Sequence, residues 1–322
     1  MIEFSNKKIK SYSRIGPRAT FGLVAYELAP LIENLMVCTA DVSTSAGLDR
    51  YRKTFPEKYV DVGIAEQNLI GIATGLASEN YNVFTTTFAP FQTMRCLEQI
   101  KVNLGYMNHK VTMVGLASGL VLGSLGYTHC CIEDLSIMRT IPNITVLSPA
   151  DCLETAKALI ASANHHQSCY IRLTGSSNTP IVYNEDYEFK IGKPIELKSG
   201  EKVTIFATGT MVASALEANT NLLENGINPT IVNVHTLKPI DENIIQDYIN
   251  NSEMIITIEE HNIIGGLSSV IAEINSKMGS GIKQVSIAIP NQYDSAGPYD
   301  YLKEKNGLTP NKISERIINE LK

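Results

Sequence analysis

Val60-Asp61-Val62-Gly63-Ile64-Ala65-Glu66-Gln67-Asn68 is the stretch on which the reading of the fold turns. A β-branched apolar run closes on Gly63, and Glu66 falls in the first turn of a helical pattern that continues to Ser78. A strand that feeds directly into a helix belongs to α/β architecture, where ligands gather at the carboxyl ends of strands. Glu66 alone requires no function, because a carboxylate in a helix's first turn is already favoured by the helix dipole. What surrounds it decides.

The same alternation extends in both directions. Apolar runs at 35–40, 59–64, 82–88, 110–116, 144–147 and 169–173 read as buried strands, with helical patterns over 65–78, 90–104, 133–140 and 151–164. Ser148 and Pro149 offer a cap and a first helical position for the last of these, with Asp151 three residues beyond the cap. Residues 175–200 break the rhythm with turn chemistry and a stretch of no clear period. Strand patterns return at 203–207, 230–234, 253–259 and 284–289, alternating with helical ones at 211–225, 242–250, 267–278 and 310–321. The expectation is two doubly wound, mostly parallel-sheet α/β domains, residues 1–185 and 186–322.

Composition narrows the classes. The 322 residues are 44% hydrophobic and 19% charged, with a formal net charge of −6, so the chain is globular and shows no electrostatic footprint for nucleic acid or an anionic membrane. No run is long and apolar enough for a membrane span, and Met1 to Lys8 lacks the apolar core of a signal peptide. All six Cys precede residue 170 without metal-type pairs, which suits free thiols in a reducing cytoplasm. Neither a dinucleotide fingerprint nor a P-loop is present.

Four further features could carry chemistry. Thr85-Thr86-Thr87-Phe88-Ala89-Pro90-Phe91 again runs from strand to helix, and Phe88, Phe91 and Met94 are spaced to share a face. Such a stripe is ordinarily core, or else a wall on which a flat heterocycle packs. Gly123-Ser124-Leu125-Gly126-Tyr127-Thr128-His129 is a Gly-rich loop closing on a His suited to proton transfer near neutral pH. Asp41 follows the strand 35–40 at its carboxyl end. Arg172 lies inside an apolar strand run, so it either meets a carboxylate of its own chain or awaits an anionic ligand.

Taken in order, the Val60–Asn68 stretch, Thr87-Phe88-Ala89-Pro90-Phe91, Gly126-Tyr127-Thr128-His129 and Glu133-Asp134-Leu135-Ser136-Ile137-Met138-Arg139 resemble the pyrimidine-binding domain of the transketolases. Phe206-Ala207-Thr208-Gly209-Thr210 and Glu259-Glu260-His261-Asn262-Ile263-Ile264-Gly265-Gly266 resemble the transketolase C-terminal domain. The resemblance implies thiamine diphosphate. Glu66 would hydrogen-bond N1′ of its aminopyrimidine and favour the imino tautomer, with Phe88, Phe91, Ile64 and Asp41 around it. His129 would act at substrate oxygens, and Arg18, Ser45 and Arg172 would hold an acceptor phosphate. The implied reaction passes a two-carbon ketol unit from a ketose to an aldose.

The chain departs from that pattern at two places. Leu125 stands where transketolases carry an Asp that reads a sugar hydroxyl, and Ala117 where a His is expected, which implies an atypical or deoxygenated sugar. The sequence also has no Gly-Asp-Gly, and Asn250-Asn251 ends a helix in the wrong half. The resemblance therefore implies a split enzyme. The diphosphate and Mg²⁺ ligands would come from an N-terminal partner subunit, with none here, in an α2β2 heterotetramer. Alternatives are the β subunit of a 2-oxo acid dehydrogenase, an enzyme like 1-deoxyxylulose-5-phosphate synthase, and a non-catalytic scaffold that kept the fold.

Overall fold

The computed structural model describes residues 2–322. Two sheets organise them. The first has seven strands in the order β10-β5-β6-β4-β3-β1-β2, where β1 is Leu35–Thr39, β2 Tyr59–Asp61, β3 Asn82–Phe88, β4 Val111–Leu116, β5 Ile144–Leu147, β6 Ser168–Arg172 and β10 Thr236–Lys238. Strands β1 to β6 pair in parallel, and β10 joins β5 antiparallel from the second half of the chain. The second sheet runs β12-β11-β8-β9-β7, with β7 Ile195–Lys198, β8 Lys202–Ala207, β9 Thr230–Asn233, β11 Ser252–Asn262 and β12 Lys283–Ile289. It too is parallel except at its edge, where β7 runs against β9. Helices cover both faces, as crossover connections between parallel strands require. This is the expected pair of doubly wound α/β sheets.

Every strand expected from an apolar run is present; β1, β4, β5, β6 and β9 are buried along their whole length and need no alternation. The expected run 59–64 stops at Asp61, where the chain leaves the sheet, and Ile64 is 78% exposed. Two strands had no sequence signal: β7 alternates between half-buried and exposed residues at an edge, and β10 has three residues. The helix Asn6–Leu28 was also unanticipated, because Gly16 (φ 83°) and Pro17 interrupt its pattern with a kink. Asp151, not Ser148, caps the helix Cys152–Ala163, its carboxylate accepting from the Glu154 N–H at 2.8 Å. Asp has the stronger claim, since the same carboxylate also accepts from Val182 and Tyr183.

The expected helix 90–104 is broken. A short helix Ala89–Gln92 ends at Thr93, whose hydroxyl donates back to the Ala89 carbonyl at 2.7 Å. A tight turn Met94–Cys96 and a wide turn Ile100–Tyr106 follow. Such back-bonding by Thr competes with the helical ladder. Met94 consequently leaves the face of Phe88 and Phe91 and is 39% exposed. All six cysteines are free and buried, and no helix among the described residues is long and apolar enough to cross a membrane.

Candidate functional site

β2 and β3 deliver their carboxyl ends to one corner of the first sheet. After β2 the backbone turns at Gly63 (φ 69°), and Glu66 becomes the first residue of the helix Glu66–Ser78. The turn is held by Asp61, whose carboxylate accepts from the Gly63 and Asp41 N–H groups at 3.0 Å each and from the Tyr59 hydroxyl at 3.2 Å. That bond ties the end of β1, with Asp41 (φ 55°) exposed beside it, to the end of β2. β3 delivers Phe88 and Phe91, whose ring centroids lie 6.4 Å apart at an interplanar angle of 82°.

His129 closes the corner from the loop after β4. Its ring lies 5.4 Å from Phe91 and 6.5 Å from Phe88, and its Nδ1 is 3.0 Å from the Thr128 hydroxyl. Thr128 also donates to the Leu125 carbonyl at 3.4 Å. Residues from three strand ends thus meet around the Phe88–Phe91 wall.

Arg95 is the member that sequence reasoning missed. Its Nη1 lies 2.6 Å from Glu66 Oε1, and its guanidinium carbon lies 4.0 Å over the Phe91 ring. Gln67 secures it by donating to the Arg95 carbonyl at 3.1 Å. Glu66 is 5% exposed whereas Arg95 is 43% exposed, so the pair opens to solvent on the arginine side. Phe91 and Arg95 are four residues apart, a spacing that brings two side chains onto one face, and the guanidinium lies over the ring. The four-residue spacing from Phe91 was the available signal.

The residues expected at a phosphate site divide. Arg18 lies just past the Gly16-Pro17 kink, half-buried, and burial lowers its pKa. Its turn abuts the Ser45-Ala46-Gly47 loop closely enough that a Cβ at Gly22 would stand 2.1 Å from the Gly47 carbonyl oxygen. No ion-pair partner of Arg18 exists among the described residues, whereas Arg172 is paired with Asp134. Arg172 is 1% exposed, with Nε 2.9 Å from Asp134 Oδ2 and Nη2 donating to the carbonyls of Cys131 and Glu260 at 3.3 and 2.8 Å. Burial alone would lower its pKa, but Asp134 and Glu260 outweigh that and raise it. Asp134, in turn, is held below the ordinary carboxylate range by Arg172 against the effect of burial. Arg172 thus meets a carboxylate of its own chain through Nε and two carbonyls through Nη2, which leaves Nη1 without a hydrogen bond among the described residues.

Of the two departures, Leu125 is 58% exposed near His129, in the turn Gly123–Leu125. Ala117 is fully buried at the end of β4 with φ 51°, so it cannot face a substrate there.

The corner offers a planar group two things at once, an aromatic face and a carboxylate acceptor. The guanidinium already uses both, and an aminopyrimidine has the matching chemistry. Residues 14–179 match the family described as transketolase, pyrimidine binding domain, and residues 192–313 match transketolase, C-terminal domain. One subunit of an apulose-4-phosphate transketolase of Actinobacillus succinogenes is 36% identical over 89% of this chain and 92% of its own. A 6-deoxy-6-sulfo-D-fructose transketolase subunit of Clostridium sp. (strain MSTE9) is 35% identical over 92% and 91%. A solved structure described as a split gene transketolase, inactive beta4 tetramer, superposes with a TM-score of 0.85 at 34% identity, covering 95% of this chain and 97% of that one.

Proposed function

The chain belongs to the transketolase family and carries its pyrimidine-binding and C-terminal domains, and from that membership we propose that it is the catalytic-carboxylate half of a two-subunit thiamine diphosphate enzyme. It is a transketolase-type transferase subunit, and the reaction we assign is passage of a two-carbon ketol unit from a ketose to an aldose. The observation that carries this reading is the Glu66–Phe91–Arg95 arrangement. A planar nitrogen donor is held on an aromatic face 4.0 Å away, against a carboxylate oxygen 2.6 Å away.

Thiamine diphosphate, when bound, supplies a nucleophilic carbon and an electron sink for a ketose carbonyl. Glu66 holds the proton shared with the pyrimidine ring. Phe88 and Phe91 keep water from that bond, which strengthens it. Ile64 and Asp41 flank the same corner. His129, backed by the Thr128 hydroxyl, holds or moves a proton at a substrate oxygen. Arg18 and Ser45 are assigned to the acceptor's anion, with Arg172 able to add only its Nη1 donors.

The partner subunit is supported by the names of the similar proteins, each described as one subunit of an enzyme. We assign the diphosphate and its Mg²⁺ to that partner and α2β2 to the assembly. The Leu125 side chain accepts no hydrogen bond, so the reading favours a sugar lacking a hydroxyl at that point; the named substrates of the similar proteins, apulose-4-phosphate and a 6-deoxy-6-sulfo sugar, are also unusual. Incubating the reconstituted complex with a ketose phosphate plus an aldose, and separately with pyruvate, tests the reaction. Ketol transfer without decarboxylation is expected. Pyruvate decarboxylation without ketol transfer would instead indicate 2-oxo acid chemistry.

A further inference from the structure

We infer that the second domain positions the His129 loop, with Glu260 as the positioning residue. The loop from Ala117 to Cys131 leaves β4 with one short turn, Gly123–Leu125, as its only regular structure. Its base is closed by paired bonds between Gly119 and Cys131, at 2.8 and 3.0 Å. Within the first domain the Ser118 N–H also donates to the Leu173 carbonyl at 2.8 Å and the Cys131 carbonyl accepts from Arg172, and the far half of the chain supplies further anchors.

Glu260, on β11 and 1% exposed, divides its carboxylate between the two domains. Oε1 accepts from the Leu120 N–H at 2.7 Å, and Oε2 accepts from the Tyr299 hydroxyl at 2.6 Å and the Thr210 hydroxyl at 3.1 Å. A Cβ at Gly119 would stand 2.2 Å from that first oxygen, so only glycine lets the carboxylate approach. A second anchor lies further along. Gly297 N–H donates to the Gly123 carbonyl at 3.0 Å, and a Cβ at Gly123 would stand 2.6 Å from the Gly297 carbonyl oxygen. Tyr293 packs on Tyr127 at 5.1 Å and donates to Glu133 at 2.8 Å. Gly119 and Gly123 are thus required by close packing of the second domain.

The route to the histidine is short. The Gly126 carbonyl accepts from both the His129 and Cys130 N–H groups at 3.0 Å, and a Cβ at Gly126 would lie 3.7 Å from the Ala296 methyl. Movement of the anchored turn therefore moves His129 against Phe91. Small displacements of a reacting group cost rate steeply.

This inference rests on the reading of His129 as the group acting on substrate, and the test separates the two. Amide hydrogen exchange of residues 119–131 is measured in the purified chain, together with thiamine diphosphate affinity, kcat and KM in the complex with the partner subunit. For Glu260→Ala, exchange of that segment should rise about tenfold and kcat fall about tenfold, with KM and cofactor affinity within about twofold. Glu260→Gln keeps an acceptor for Leu120 and should restore most of kcat. Tyr293→Ala changes an exposed side chain and should shift exchange and kcat the same way but less, which decides the matter if Glu260→Ala fails to fold. Wild-type exchange and kcat in Tyr293→Ala and in folded Glu260→Ala, alongside an inactive His129→Ala, would overturn the positioning role alone. Full turnover by His129→Ala would overturn it through the reading of His129.

Discussion

Glu66–Arg95 and Asp134–Arg172 are both carboxylate–arginine pairs of the first domain, yet they are built for opposite ends. Asp134 and Arg172 are 0% and 1% exposed, and Asp134 also accepts from Ser118 and Tyr170 at 2.5 and 2.7 Å. Nε and Nη2 of Arg172 and both carboxylate oxygens of Asp134 are answered within the chain. Glu66 is nearly as buried, but its partner is 43% exposed and rests on a ring that one side of the solvent can reach. A satisfied buried pair fixes the structure; a pair with one exchangeable member can admit something else. Burial of the carboxylate alone does not separate the two cases, whereas exposure of the counter-ion does.

The sharpest way to break this contrast is to neutralise each carboxylate. Glu66→Gln should lower kcat of the reconstituted enzyme by roughly 10²–10⁴-fold, the usual range for a lost acid–base group, with little change in thermal midpoint. Unchanged turnover would remove Glu66 from the chemistry. Asp134→Asn should act the other way round. It leaves the Arg172 charge buried without its ion-pair partner, for a destabilisation of about 3–5 kcal/mol in denaturant titration. Cofactor affinity should remain normal at temperatures where the variant is folded. A stable Asp134→Asn protein would mean that the junction is wetter than its geometry shows.

His235 sharpens the buried side of the comparison. Burial pushes its pKa down to about 4, so it stays neutral in the folded protein at pH values where the unfolded chain takes up a proton. The folded pKa lies below the unfolded value of about 6.5, so the contribution is present at pH 7 and is lost as pH falls from about 6.5 towards 4, by about 3 kcal/mol at most. Urea midpoints at pH 7 and pH 5 should therefore differ less in His235→Phe, which also keeps a ring against Phe189 at the present 4.3 Å spacing. Parallel slopes for the two proteins would assign the acid sensitivity elsewhere.

The smallest effect belongs to Arg95. A pair with one exposed member is worth up to about 1 kcal/mol, so removing the competitor in Arg95→Ala should tighten thiamine diphosphate binding about two- to fivefold. Weaker binding would instead make Arg95 a cofactor contact in its own right.

The sheet strands were legible because burial on both faces writes continuous apolar runs, and Glu66, Phe88, Phe91 and His129 were legible as strand-end residues. The structure brings those four together. Arg95 was hidden because an arginine four residues past Phe91 is ordinarily a solvated residue, and only the fold sets it against Glu66. Arg172 was legible only as an alternative: an arginine in a strand announces that an anion is near, and the fold supplies Asp134. The dependence of the His129 loop on Glu260, 140 residues from Leu120, is likewise tertiary information.

The central claim is that this chain forms one half of an active site, and thiamine diphosphate titration tests it most directly. Binding is measured calorimetrically with Mg²⁺ present, first for the isolated chain and then for its complex with the partner subunit. Weak binding by the chain alone and tight, Mg²⁺-dependent binding by the complex are expected. Equal affinity with and without the partner would contradict the account.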